Sequence, residues 1–218
     1  MSNISQSTQF DPGCVQCPRL AEFLREGKRE YPAYHCGPVA PFGDPTARLI
    51  IVGLAPGFHG ANATGRPFTG DHAGILLYDT LHRFGFSTAA QSVSRDDGLQ
   101  LINARITNAV KCVPPQNKPL PIEIKTCSSY IKNELTSLKK PSVLLALGTI
   151  AHNAVLKTFE QRIADFKFGH CAVHPMPDGH VLIDSYHCSR YNTNTGRLTE
   201  AMFHQVFALA SRHLQSMQ

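Results

Sequence analysis

The sequence predicts an α/β fold in which a parallel sheet carries helices on both faces. Three observations lead there. Short continuous apolar runs recur along the 218-residue chain, as in Leu49-Ile50-Ile51-Val52 and Val143-Leu144-Leu145-Ala146-Leu147. Continuous rather than alternating runs suit strands buried on both faces. Segments with helical apolar spacing lie between them, and Gly-rich or polar turns follow the strands, where such sheets place their ligands.

Taken in order, Gly13 to Cys17 reads as a C-x2-C turn, and Pro18 opens a helix with Leu20, Phe23 and Leu24 on its apolar face. Proline suits a first helical turn. Tyr31 to Pro45 contains Pro32, Pro38, Pro41 and Pro45 and reads as a loop draped over the body. The first strand is expected at about Arg48–Leu54. A loop rich in Gly, Asn and Thr runs on to Asp71, followed by a helix at about Gly74–Phe84 with Ile75, Leu76, Leu77, Tyr78 and Leu81 on its apolar side. Ser87–Gln100 is a polar connection, and Leu101–Ala109 is the second expected strand. Pro114, Pro115, Pro119 and Pro121 forbid regular structure until a helix at about Ile122–Leu138. The third strand, Ser142–Leu147, turns at Gly148-Thr149 into a helix at Ile150–Lys157. Phe168–His174 is a candidate short strand and His180–Ser185 the fourth main strand. A last helix, about Leu198–Met217, repeats Met202, Val206, Leu209 and Leu214 on one face.

In a parallel sheet the strand ends share one edge. Gly53–Asp71, Asn108, Gly148-Thr149 and His187–Arg197 therefore gather there, and that edge is the expected site. A single domain over residues 1–218 is the simplest organisation for this length. Hydrophobic content of 42% and charged content of 17% are those of an ordinary globular protein. No apolar stretch approaches the roughly 18–20 residues of a membrane helix. The opening MSNISQSTQFDP has neither a basic start nor an apolar core, so no signal peptide is expected and an intracellular protein is. The net charge of +5 suits a nucleic-acid partner and equally an ordinary solvated surface. The first loop lacks G-x-x-x-x-G-K-[ST], which argues against a P-loop nucleotide site.

Seven cysteines in such a chain point to metal or redox chemistry rather than a disulfide framework. Cys14-x2-Cys17 is matched by Cys112-x14-Cys127 across the Pro-rich loop. Four thiolates hold structural zinc or an iron–sulfur cluster, and four inert buried cysteines are the bland alternative. Cys36 and Cys171 read as packing or spare thiols.

Several motifs together resemble the iron–sulfur uracil-DNA glycosylases. They are Gly53-Leu54-Ala55-Pro56-Gly57, Gly65-Arg66-Pro67-Phe68-Thr69-Gly70-Asp71 and Thr107-Asn108-Ala109-Val110-Lys111-Cys112. Leu54, His59-Gly60-Ala61-Asn62 and the run from His187-Cys188-Ser189-Arg190 to Leu198-Thr199 are similar to the type-B, or family 5, enzymes of bacteria and archaea. Phe58 and Cys188 depart from that pattern, standing where a small residue and a proline are expected.

The resemblance implies a three-layer α/β/α sandwich with a central four-stranded parallel sheet. It implies removal of uracil, with hypoxanthine and other deaminated bases, from DNA in base-excision repair, leaving an abasic site. The expected protein is a monomeric, cytoplasmic, nucleoid-associated prokaryotic enzyme. Cys14, Cys17, Cys112 and Cys127 fall where the family holds a [4Fe-4S] cluster, which would tie the N-terminal segment to the Pro-rich loop. An iron–sulfur electron-transfer or redox-sensing protein is the competing reading.

The chemistry assigns roles on that basis. A duplex hides the glycosidic bond, so the nucleotide must be flipped into a pocket. Phe68 would stack on the base, and Asn108 offers a donor and an acceptor to its edge. Gly53, Ala55 and Gly57 let backbone approach base and sugar. His187 is the candidate donor to the departing base. Leu54 to Ala61 contains no Asp, Glu, Asn or Gln, so Asp71 is the candidate for orienting water; capping the following helix is its alternative role. Ser189, Arg190, Asn192 and Arg197 are expected to meet DNA, with Arg66 and Lys111 adding phosphate contacts.

Overall fold

The computed structural model describes residues 10–138 and 141–217; most of the opening segment read for a targeting signal lies outside them. A helix α1 (Pro18–Glu30) precedes a six-stranded sheet. Its core is four parallel strands, β2 (Leu49–Gly53), β3 (Ala104–Asn108), β4 (Val143–Leu147) and β6 (Val181–Ser185). Two short antiparallel strands, β1 (Phe42–Gly43) and β5 (Val173–Pro175), close the edges in the order β1-β3-β2-β4-β6-β5. The expected four-stranded parallel sheet is thus present, and two edge strands are added to it.

Side chains alternate across the sheet as the strand pleat requires. Leu49, Ile51, Ile106, Leu145 and Ile183 face helices α3 (His72–Arg83) and α7 (Glu200–Ser216). Ile50, Val52, Leu144, Ala146 and Leu182 face α4 (Pro121–Thr136) and α5 (Thr149–Thr158). These are the two covered faces of a three-layer sandwich. A third apolar cluster joins Leu20 and Leu24 of α1 to Val110, Val113 and Tyr130, fastening the N-terminal segment beside the end of β3.

Several boundaries differ from the expected ones for local reasons. β1 lies inside the proline-rich stretch read as a loop; two residues carry no period. β3 starts at Ala104 rather than Leu101, because Asn103 adopts a left-handed φ of 49° and Ile102 donates its N–H to Phe86 instead. The segment Phe168–His174 yields only β5, since Cys171 is also left-handed (φ 60°). Two short helices were not expected, α2 (Ala61–Thr64) and α6 (Arg190–Asn194).

Register aligns the strand ends: Gly53 pairs with Asn108, Val52 with Ala146, and Leu147 with Ser185. From β2 the chain crosses to β3 on one side and then returns to β4 on the other. The strand order therefore reverses between β2 and β4, the place where open α/β sheets bind ligands.

Candidate active site

A cavity of about 420 Å³ opens at that edge. Ala55, Gly57, Phe68, Asp71, Asn108 and His187 all line it, with Ser189 and Arg190 at the rim. The sequence expectation therefore brings residues from the first loop, β3 and the segment after β6 into one pocket.

Asn108 ends β3 and is 3% exposed, yet its Oδ1 has no hydrogen-bond partner among the described residues. A buried acceptor left unpaired costs about 1–3 kcal/mol, and this one belongs to a residue that lines the cavity. Gly53 makes this placement possible. A Cβ there would stand 2.3 Å from Asn108 Oδ1 and 2.9 Å from the Phe68 ring.

Phe68 is buried and holds a left-handed φ of 57°. Such a conformation in a bulky residue is strained and needs support from its surroundings. Its ring lies 6.0 Å from that of His187, tilted by only 26°. The His187 imidazole is uncharged at neutral pH, because burial pulls its pKa down to about 4. A neutral ring can still donate one N–H.

Asp71 occupies the N-cap position of α3, but its side chain makes no capping bond. The carboxylate turns instead to the first loop and accepts the backbone N–H groups of Ala61, at 3.1 Å, and Gly57. Burial raises its pKa above the ordinary 3.8, and these two amides oppose the rise. A Cβ at Gly57 would lie 2.2 Å from Asp71 Oδ1, so the loop closes on the carboxylate only with glycine there. The helix-capping role considered for Asp71 is replaced by this contact.

The segment after His187 is tightly ordered. Ser189 Oγ accepts the Asn192 N–H, and Asn192 Nδ2 donates to the His187 carbonyl at 2.8 Å. Asn192 thus fixes the backbone that carries His187. Arg190 is exposed, and Arg197 stacks over the Tyr186 ring at 4.8 Å. Residues not singled out in the sequence also line the pocket, His72 and Asn117 among them. His72 Nε2 meets Thr193 Oγ1 at 3.2 Å and so ties α3 to α6. Its one sequence signal was adjacency to Asp71; Asn117, in the proline-rich loop, had none.

Arg66 and Lys111 do not reach the surface as phosphate contacts. Arg66 is buried and pairs with Asp97 at 2.7 Å; Lys111 is buried and pairs with Glu134 at 2.7 Å. Phe58 points away from the cavity into a cluster with Phe23 and Tyr31, so its bulk does not shape the pocket. Cys188 is fully buried in the main core. Cys36 packs beside α1, its sulfur 3.6 Å from Asn62 Nδ2.

Cys14, Cys17, Cys112 and Cys127 surround a second, small cavity with Leu20, Val110 and Tyr130. Burial, and then the neighbouring thiols, push Cys112 up to about 12. Burial likewise takes Cys127 to about 11, although the Lys111 amide donates to its sulfur at 3.3 Å. Four thiolates here need positive charge between them. Four cysteine sulfurs around one small cavity are the donor set of a centre held by thiolates, zinc or an iron–sulfur cluster.

The family model of the uracil DNA glycosylase superfamily matches residues 40–210. The chain is 46% identical over 204 residues to a type-5 uracil-DNA glycosylase of Thermus thermophilus, covering 91% of this chain and 93% of the relative. It is 42% identical to the type-5 enzyme of Pyrobaculum aerophilum, covering 91% and 88%. Similarity to a type-4 uracil-DNA glycosylase of Archaeoglobus fulgidus is 33% and covers only 54% of this chain. The motifs gathered at the strand ends and these matches agree, and the chain belongs to the uracil-DNA glycosylase superfamily, among its type-5 (type-B) members.

Proposed function

We propose that this protein excises uracil from DNA by hydrolysis, and that Asn108 selects the base by the one chemical change that deamination makes. The observation that supports this most directly is the orphaned, buried Oδ1 of Asn108 at the pocket wall. Deamination turns a ring acceptor and an exocyclic amine into a ring N–H and a carbonyl. An amide facing that edge donates to the new carbonyl and accepts the new N–H. Uracil presents this pair, and so does hypoxanthine, which extends the substrate class to deaminated purines.

The flipped base would lie on Phe68, where stacking contributes about 1–3 kcal/mol. Cleavage of the C1′–N1 bond leaves its electron pair on uracil and positive charge on the sugar. Neutral His187 donates a hydrogen bond to the departing base, and the cost of losing one such donor is about 100- to 1,000-fold in rate. Water then attacks C1′ and loses a proton to Asp71, whose raised pKa makes it a better base than an exposed aspartate. Ser189 and Arg190 at the rim take the DNA backbone, with Asn192 and Arg197 shaping the same segment.

Cys14, Cys17, Cys112 and Cys127 would hold a [4Fe-4S] cluster, whose contribution is structural: it joins the N-terminal segment to the end of β3 and to α4. The enzyme acts as a monomeric single domain in the cytoplasm. No helix among the described residues is long and apolar enough to cross a membrane. Incubating the purified holoprotein with a labelled duplex containing one uracil tests the reading. It requires an alkali-labile break at that position; intact strand in excess enzyme would overturn it.

A further inference from the structure

Arg66 belongs to the loop that carries Phe68 and Asp71, yet it points away from the base pocket. Its guanidinium is stacked over the Phe42 ring at 4.4 Å and bonded to Asp97, Ser92 and the Arg95 carbonyl. Asp97 also accepts the N–H groups of Val93, at 2.8 Å, and Ser94, at 3.2 Å. Ser92 Oγ meets Thr69 Oγ1 at 2.7 Å. The pair is nearly dry, with side chains 5% and 9% exposed, so these bonds are not screened by water. A buried ion pair is a costly way to hold a loop, and here it fixes Gln91–Val93 against the catalytic loop.

This segment lines a further cavity, about 510 Å³, together with Ile75 of α3. The two cavities share Asp71, His72 and Arg190, so they form one continuous groove. Val93 and Ile75 are 67% and 66% exposed, large apolar side chains facing water. Arg190 is a cation with no ion-pair partner among the described residues. Two exposed apolar side chains, polar Gln91 and Ser92, and a cation at the junction with the base pocket match a nucleotide, which offers a base or sugar face beside a phosphate.

Resting on the glycosylase reading, we infer that the groove between Ile75 and the Arg66-locked segment Gln91–Val93 binds the nucleotide next to the flipped one on the damaged strand. Ile75 and Val93 bear on its base or sugar, and Arg190 takes the phosphate joining it to the flipped nucleotide. The enzyme then depends on flanking sequence on one side of the lesion more than on the other.

The test compares three uracil-containing duplexes: uracil flanked in its own strand on both sides, only on its 5′ side, and only on its 3′ side. For the wild type, removing one flank lowers kcat/KM roughly tenfold, the scale of one lost stacking contact, and removing the other changes it little. Ile75→Asp/Val93→Asp alters two exposed positions, adds charge that repels phosphate, and leaves the Arg66–Asp97 bonds in place. It is expected to lose the same factor on the fully flanked substrate and to show no further loss when the sensitive flank is removed. Equal loss on all three substrates, no loss on any, or a wild type indifferent to both flanks would overturn the inference. A wild type inactive on fully flanked uracil would instead overturn the glycosylase reading beneath it.

Discussion

Asn108→Ala separates a residue held for substrate from one held for the fold. In the free enzyme Asn108 Oδ1 is buried without a partner, a cost of about 1–3 kcal/mol. Truncation removes that cost and opens only onto the existing cavity. The variant should therefore unfold at the wild-type temperature or a few degrees above it, since 1 kcal/mol moves Tm by about 2–4 °C at this size. Catalysis should move the other way. Two base atoms lose their partner, about 2–4 kcal/mol together, which is roughly 30- to 1,000-fold in the single-turnover rate. Thermal unfolding of the holoprotein and single-turnover excision with enzyme in excess measure the two effects. A variant that melts several degrees lower while excising uracil at the wild-type rate would refute the reasoning, because the amide would then serve the fold alone.

Asp71→Asn tests the carboxylate. Its raised pKa favours the protonated form in the folded state, so its contribution to stability is present at low pH and lost as pH rises through that pKa. The amide should thus stabilise the protein at pH 7, with the gain fading toward pH 4, while excision falls about 100- to 10,000-fold. Unchanged single-turnover cleavage would remove Asp71 from the chemistry. His187, with its pKa near 4, should add no inflection to the pH–rate profile between pH 6 and 8, because it is already neutral there; an inflection near 6.5 that disappears in His187→Gln would contradict this. Cys112→Ser should abolish visible absorbance and lower stability by about 4 kcal/mol or more, a drop in Tm of roughly 10 °C. Colourless wild-type protein carrying stoichiometric zinc would rule out the cluster.

The core strands were legible because their apolar runs are continuous, and the pocket because each strand end carries unusual polar or glycine residues. Gly53, Asn108 and His187 lie far apart in sequence but at or just past corresponding strand ends, which topology brings together, and the loop after β2 carries Phe68 and Asp71 to the same edge. What could not be read depended on pairing across long separations. Arg66 and Lys111 read as surface cations in sequence, and their burial follows from pairing with the distant Asp97 and Glu134. Asp71 has the spacing of a helix cap, and only the folded first loop redirects its carboxylate to Ala61 and Gly57. The edge strand β1 and the helix α6 are too short to leave a period.

The central claim is hydrolytic release of an intact deaminated base from this pocket. A single-turnover reaction on uracil-containing duplex in 18O-water measures it most directly, with the released base and the abasic sugar resolved by mass spectrometry. The expected result is free uracil of unchanged mass and one 18O atom at the abasic deoxyribose. Strand cleavage without free uracil, or 18O in the base rather than the sugar, would contradict the account.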